Sequence, residues 1–395
     1  MEFSDRISRI KVSSTGAVVA RADQLKASGV QLFDFGAGEP DFHTPDSIKL
    51  AAAEALAANF TRYTPTSGIG DLKRAIVERH RTDFGSNYQP EECVVTVGGK
   101  QAIFEAVAAL VNPGSEVILP VPYWTSFLDI IRYVDGQPVL LHTRQDEEFA
   151  IRAAAVERLI TPKTRLVVVN SPSNPTGAVV PPEEMEELLA LAERHDLWLL
   201  SDECYCHFLY DGLRPFSLGA SGNRENLVVV GSLSKTYAMT GWRVGFALSA
   251  AKLISNMVKL QSHSTSNVTS FVQRGAVEAL TGPQDSIENM RAEYERRRNR
   301  MVAGLNALPG VRCSMPGGAF YAYPDVSQHL GTGVDVTTLA ARLLDEAHVA
   351  VVPGPAFGTE EHLRFSYASS LEHIEEGLRR FGAFLEQIRP APAYA

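Results

Sequence analysis

The stretch GSLSKTYAMTGWR, residues 231–243, carries the end of an apolar run into two serines, a lysine and, eight residues further on, an arginine. Ser232, Ser234 and Lys235 stand where the strand-like NLVVVGS (226–232) stops. A lysine near a buried strand end is costly unless paired or neutral, so Lys235 is either part of a structural ion pair or a reactive amine. Two enzyme classes space a lysine in this way. In the acyl-serine type, Ser232-Leu233-Ser234-Lys235 would be an S-x-x-K nucleophile and base, which needs S-D-N and K-T-G segments downstream. Here Ser201-Asp202-Glu203 lies upstream and ends in glutamate, and no K-T-G occurs. In the other class the lysine joins an aldehyde cofactor while a carboxylate keeps a ring nitrogen protonated. That chemistry uses several other strand ends of this chain at once.

Working outward, short β-rich runs alternate with helical patterns from about residue 45 to 250. The strands are read at CVVTV (93–97), EVILP (116–120), RLVVVN (165–170), LWLLSD (197–202), NLVVVGS (226–232) and RVGFAL (243–248). Helices are read at SIKLAAAEALAA after a Thr44-Pro45-Asp46 start, at KQAIFEAVAALV (100–111) and over 182–195. Such alternation marks an α/β fold, a mostly parallel sheet covered on both faces, with ligands at the carboxyl ends of its strands. After 250, helices fill 252–308 and short strands then mix with helices. This predicts a smaller α+β unit formed by the last hundred residues, with the first forty folded back onto it.

The strand ends hold the remaining chemistry. Gly98 and Gly99 in VGGKQAIF separate a strand from a helix, where free N–H groups and the helix dipole favour phosphate. Asn174 precedes Pro175 in VVVNSPSNPTG, a rigid turn in which a cis proline is possible. Asp202 in SDECY tips a buried strand, with Tyr205 three residues on; it either caps or pairs locally, or holds a protonated ring nitrogen. FDFGAGEPDF (33–42) looks at first like a dinucleotide loop, but its third glycine position is Asp41 and no helix begins until after Thr44.

Composition narrows the partners. The chain has 395 residues, 45% hydrophobic and 21% charged, with a net charge of -9 and no basic block. Nucleic acid and an anionic membrane are therefore not expected partners, and small molecules and a second copy are. No apolar run approaches the ~18 residues of a membrane span, and no signal peptide is read at MEFSDRISRI, so the expected setting is cytoplasmic. The four cysteines include a CxC at Cys204 and Cys206, but no metal site is expected.

Taken in order, AGEPDF, YTPTSGI, VGGKQA, PYW, NSPSNPTG, SDECY, SLSKTYAMTGWR, GGAFY and RFSYA resemble the motif series of the class I, fold type I pyridoxal-phosphate aminotransferases. The resemblance runs from about residue 10 to 380 and lies nearest the bacterial aspartate and aspartate/prephenate subgroup. It implies a large domain (45–290) with a mostly parallel seven-stranded sheet, a small α+β domain (291–395), an N-terminal arm and segment (1–44) packing with the latter, and a homodimer with shared active sites.

Carried over residue by residue, Lys235 would take the cofactor aldehyde covalently and then shuttle the proton between substrate Cα and cofactor C4′. Asp202 would pair with the pyridinium nitrogen, Tyr205 and Asn174 would bond the ring hydroxyl's oxygen, and Trp124 would stack on the ring. Gly99, Lys100 and Gln101 would cradle the phosphate with Ser232, Ser234 and Arg243, and Tyr63 would reach the phosphate of the partner subunit. Arg364 would clamp the substrate α-carboxylate, with Gly38 allowing its close approach. KLQSHSTSNVTSFVQ has no arginine before Arg274, where animal-type aspartate aminotransferases place one for the distal carboxylate. Lys100 and Thr15 are the expected substitutes, although Lys100 could attend to the phosphate alone. The implied reaction is ping-pong amino transfer between aspartate and 2-oxoglutarate. Prephenate as acceptor, giving arogenate, or a broader aromatic and alanine specificity are the alternatives.

Overall fold

The computed structural model describes residues 3–11, 20–22, 24–25, 27–222, 224–331 and 333–388. A seven-stranded sheet forms from β2 (Cys93–Thr96), β3 (Glu116–Val121), β4 (Gln137–His142), β5 (Thr164–Asn170), β6 (Trp198–Asp202), β7 (Leu227–Ser232) and β8 (Gly245–Ser249), in the order β2-β8-β7-β6-β5-β3-β4. Strands β7, β6, β5, β3 and β4 run parallel, whereas β8 is antiparallel to both its neighbours. The central strands are buried on both faces, as a parallel sheet between two helical layers must be. Leu199, Leu227, Val229 and Leu248 point into one core, and Leu166, Val168, Leu200, Val228 and Val230 into the other. Each such side chain stabilises the fold by about 1.5–3 kcal/mol.

Six of these strands lie within about two residues of the stretches read as strands from the sequence, and β4 is the exception. QPVLLH offers little signal: it is an edge strand, only half-buried, and carries Pro138, which an edge tolerates because one side of the strand needs no donor. The expected helix starting with Pro45 begins instead at Asp46. The Thr44 hydroxyl is drawn away to the Ala238 carbonyl at 2.6 Å, so it does not cap that helix.

A second core gathers Phe33, Phe35, Tyr294, Met301, Leu305, Leu343, Phe365, Phe381 and Phe384. Around it lie the antiparallel strands β11 (Val352–Pro353), β12 (Leu363–Ser366) and β9 (Tyr321–Ala322), together with helices Asp285–Asn306, Val336–Ala347 and Leu371–Ile388. Strand β1 (Phe33–Asp34) pairs in parallel with β10 (Val349–Ala350). The 290/291 division expected from the sequence falls within helix Asp285–Asn306, whose Met290 and Tyr294 already face this second core.

The segment after β1 crosses from one unit to the other. The Phe35 carbonyl accepts the Ser366 N–H at 2.8 Å, Asp41 takes both its oxygens to Arg297 Nη1 at 2.8 and 2.9 Å, and Glu39 accepts the Thr240 hydroxyl at 2.8 Å. This segment therefore lies over the carboxyl edge of the sheet as a brace between the two cores.

Candidate active site

At the carboxyl ends of β2, β3, β5, β6 and β7 the loops surround a cavity of about 450 Å³. Its walls include Gly38, Gly99, Lys100, Trp124, Asn174, Asp202, Tyr205, Ser232, Ser234, Lys235, Arg243 and Arg364, twelve residues the sequence singled out, from seven separate segments of the chain. Gly36, Ile103, Asn170, Cys204, Thr240 and Tyr321 join them.

Lys235 follows β7 and is recessed into the wall, where its amine donates to the Gly38 carbonyl. No carboxylate among the described residues forms an ion pair with it. Burial of the amine lowers its pKa to about 8, opposed by Cys204 and Glu39 and aided by Arg364 and Arg243. At neutral pH such an amine lies within reach of its uncharged, nucleophilic form. Asp202 ends β6, fully buried; burial raises its pKa to about 6, although Cys204 works the other way, its N–H donating to Asp202 Oδ1 at 3.1 Å. A buried acid without a cation invites one: a protonated ring nitrogen beside it would restore the carboxylate.

Arg364, on β12, is 3% exposed and enters no ion pair among the described residues. Its Nη1 donates to Asn174 Oδ1 at 3.0 Å and its Nη2 to the Gly36 carbonyl at 2.8 Å, while the buried Nε has no partner. The guanidinium lies 4.6 Å from the centre of the Tyr321 ring, whose hydroxyl is 2.9 Å from that of Tyr205. Asn174 is held in turn, its N–H bonded to Asn170 Oδ1 at 2.9 Å and the Asn170 amide to the Asp202 carbonyl at 3.1 Å. The cis peptides nearby are Ser171–Pro172 and Val121–Pro122; Asn174–Pro175, where a cis bond was possible, is not one of them. A Cβ on Gly38 would sit 3.1 Å from the Tyr321 hydroxyl, so the absence of a side chain there keeps the Arg364 side of the cavity open.

The other end of the cavity is built for an anion. Gly98 has φ +79, and a Cβ on it would meet Arg243 Nη2 at 2.4 Å. The next two residues open helix Gly99–Leu110, whose first N–H groups have no carbonyl of their own helix to bond. The Ser232 side chain accepts the Ser234 N–H at 3.2 Å, and Arg243 Nη1 donates to the Thr240 carbonyl at 2.8 Å. Lys100 stands at the mouth with its amine 5.1 Å from the centre of the Trp124 ring; partial burial and then Arg243 push its pKa down.

Three expectations fall elsewhere. Gln101 is outside the cavity: its N–H donates to the Gly98 carbonyl at 3.1 Å and its amide reaches Glu105 at 2.8 Å and Thr265 at 2.5 Å, so only Gly99 and Lys100 of that trio remain. Tyr63 is 92% exposed and away from this cavity. Thr15 lies outside the described residues. Asn170 and Tyr321, which the sequence reading did not select, sit within the quoted NSPSNPTG and GGAFY motifs or beside them; nothing in their local pattern sets them apart from their neighbours. The CxC pair divides, Cys204 facing the cavity and Cys206 facing His207.

A nucleophilic amine, a buried acid, an anion cradle and an open guanidinium in one cavity can hold a phosphorylated aldehyde ring and a carboxylate at the same time. Comparison with known proteins gives four matches. The family model described as aminotransferase class I and II matches residues 30–381. The solved aspartate aminotransferase from Thermus thermophilus with maleate superposes with a TM-score of 0.93 at 43% identity, covering 97% of this chain and 100% of that one. Among sequence relatives, aspartate aminotransferase from Bacillus sp. (strain YM-2) is 40% identical over 97% of this chain and 99% of its own. Aspartate/prephenate aminotransferase from Cereibacter sphaeroides is 42% identical over 97% and 98%.

Proposed function

The chain belongs to the aminotransferases of class I and II, and on that footing we propose that it uses pyridoxal 5′-phosphate to transfer an amino group reversibly between L-aspartate and 2-oxoglutarate, giving oxaloacetate and L-glutamate by a ping-pong route. One observation carries the proposal most: Lys235, Asp202 and Arg364 line one cavity, and none forms an ion pair among the described residues. The residues present fit the cofactor. Gly98, Gly99 and Ser234 with Arg243 suit its phosphate, Asp202 its ring nitrogen, Tyr205 and Asn174 its ring oxygen, and Trp124 its face.

When bound, the cofactor supplies an aldehyde for amine exchange and a protonated ring that takes up the electron pair of the Cα–H bond. Lys235 would take the proton from substrate Cα and hold it for return to the reacting system. Its depressed pKa lets it act as a base near neutrality. Asp202 holds the ring nitrogen protonated. Arg364 takes the α-carboxylate through Nε and a terminal nitrogen, which fixes Cα–H in front of Lys235. The Gly36 and Gly38 carbonyls accept from Arg364 and Lys235, places that an entering ligand would take over.

Lys100 at the cavity mouth would meet the distal carboxylate of a dicarboxylic substrate. The maleate named with the Thermus protein, a four-carbon dicarboxylate, favours that assignment. The relatives named for prephenate, which also carries two carboxylates, keep that acceptor as the second reading. We read residues 45–290 as the large domain, 291–395 as the small one, with helix Asp285–Asn306 running across that boundary, and 1–44 as the arm that packs with the small domain. A homodimer completes the site: a mostly apolar groove of about 890 Å³ adjoins the cavity at Lys100 and Arg243, and Tyr63 stands bare as a residue reaching a partner subunit would. No described helix is long and apolar enough to cross a membrane.

The purified protein is expected to show the pH-sensitive absorbance of a lysine-bound cofactor and to transaminate aspartate. Lys235→Ala should abolish both. Retained turnover at a comparable rate would overturn the assignment.

A further inference from the structure

A second constellation lies behind the cavity wall. Cys206 Sγ is 3.3 Å from His207 Nδ1, and His207 Nε2 is 3.1 Å from Asp83 Oδ2. Sulfur, imidazole and carboxylate are thus in series, each within hydrogen-bond reach, the arrangement by which a histidine oriented by a third group activates a nucleophile. Asp83 comes from the last turn of helix Gly70–Phe84 and is pinned from its other side by Arg79 at 2.5 Å. Burial opposes a charge on His207, but Cys206 and Asp83 outweigh it and raise its pKa to about 10. Sulfur and imidazole are thus placed to exchange a proton directly.

The other titratable groups around the pair are Arg79, His80, Glu203 and Tyr237 on one side and Glu288, Arg291 and Glu295 on the other. His80 is driven to about 4 by burial and so adds no charge at neutral pH. Glu203 accepts the Ser201 hydroxyl at 2.9 Å, and the Tyr237 hydroxyl donates to Gln284 at 2.8 Å. A small cavity of about 40 Å³ is lined by Cys206, His207, Asp83 and Thr236. A single water needs only ~10–15 Å³ measured this way, so there is room for a two-oxygen molecule. The His207 side chain is 21% exposed, and Cys206 is likewise partly buried. Thr236, whose hydroxyl lies 3.5 Å from His207 Nδ1, directly follows Lys235 in the chain.

We propose that Cys206 is a peroxide-reactive thiol whose oxidation is relayed to Lys235 through Thr236. The sulfur attacks one oxygen of hydrogen peroxide and the O–O bond breaks. Sulfur loses two electrons and becomes a sulfenic acid, while the departing hydroxide takes the proton of the His207 imidazolium and leaves as water. The added oxygen lies between the sulfur and the His207–Thr236 contact and displaces Thr236, and with it the lysine. This last link rests on the assignment of Lys235; the reactivity of Cys206 does not.

The test treats the cofactor-loaded protein with dilute hydrogen peroxide in the presence of dimedone and follows all four cysteines by mass spectrometry. Cys206 should be trapped at least about tenfold faster than Cys93, Cys204 and Cys313, and His207→Gln should slow that trapping by about tenfold. Peroxide should reduce transamination by more than half, reversibly with a thiol reductant. Cys206→Ser should keep the basal rate and lose the sensitivity. Preferential trapping at Cys204, or equal trapping at all four, would overturn the reactivity of Cys206. Equal peroxide inactivation of Cys206→Ser would overturn the relay. Because trapping needs no turnover, failure of the transaminase reading would leave the labelling order intact.

Discussion

Arg364→Lys separates the charge of the carboxylate clamp from its geometry. The native guanidinium spends Nη1 on Asn174 and Nη2 on the Gly36 carbonyl, and holds its buried Nε without a partner. A substrate carboxylate that takes Nε together with a terminal nitrogen gains two parallel charge-assisted bonds. Lysine keeps the positive charge but offers a point donor, so at least one of those bonds is lost. A hydrogen bond to a charged group contributes about 1.5–3 kcal/mol. At about 1.4 kcal/mol per factor of ten, kcat/KM for aspartate should fall roughly 10- to 150-fold. The assay is the single-turnover half-reaction with aspartate, run beside β-alanine, which is aspartate without its α-carboxylate. β-Alanine should react slowly with either protein, at a rate nearly unchanged by the substitution. If both substrates lose rate by the same factor, Arg364 acts on the architecture of the cavity and not on the α-carboxylate, and the reasoning fails.

Lys100→Ala should raise KM for aspartate far more than for alanine or phenylalanine; equal effects in a steady-state panel would assign Lys100 to the phosphate alone. Tyr63→Phe should weaken cofactor retention on dialysis in proportion to the dimer fraction seen by ultracentrifugation, and no change in retention would remove Tyr63 from the shared site. Glu105 is 1% exposed, and burial raises its pKa from 4.5 to about 8 despite the Gln101 hydrogen bond. The folded form then holds a proton that the unfolded chain releases, so the stability cost of Glu105 grows as pH climbs from about 4.5 to about 8 and levels off above. Glu105→Gln should accordingly raise Tm more at pH 9 than at pH 5, and a pH-independent difference in calorimetry would contradict the buried charge.

Much of the sheet was legible because fully buried strands print their environment on the sequence: VVV in β5 and β7 cannot be anything amphipathic. β4 was not, since an edge strand with Pro138 meets water on one side and keeps no apolar signature. The site divides along a similar line. Lys235, Asp202, Asn174 and Arg364 were visible because a charged or amide group at a strand end needs a reason to be there. Tyr321 and Asn170 matter through partners 116 and 32 residues away, Tyr205 and Asp202, and no local pattern encodes such a distance. Gln101 shows the converse: its place at the helix start was right for a phosphate contact, but its N–H and side chain are satisfied by Gly98, Val97, Glu105 and Thr265.

The reversed direction of β8 decides how the two ends of the lysine motif can cooperate. Had β8 run parallel to β7, its first residue would lie at the far edge of the sheet, about 17 Å away for a five-residue strand. Running backwards, it starts where β7 stops, and Arg243 arrives at the cavity two residues before Gly245, on the same connection that carries Lys235 out of Ser232. Anion anchor and reactive amine are thereby machined from one piece of backbone. Any drift of that connection would carry both together, so the spacing between the proposed phosphate anchor and the proposed reactive amine would follow this one piece of backbone.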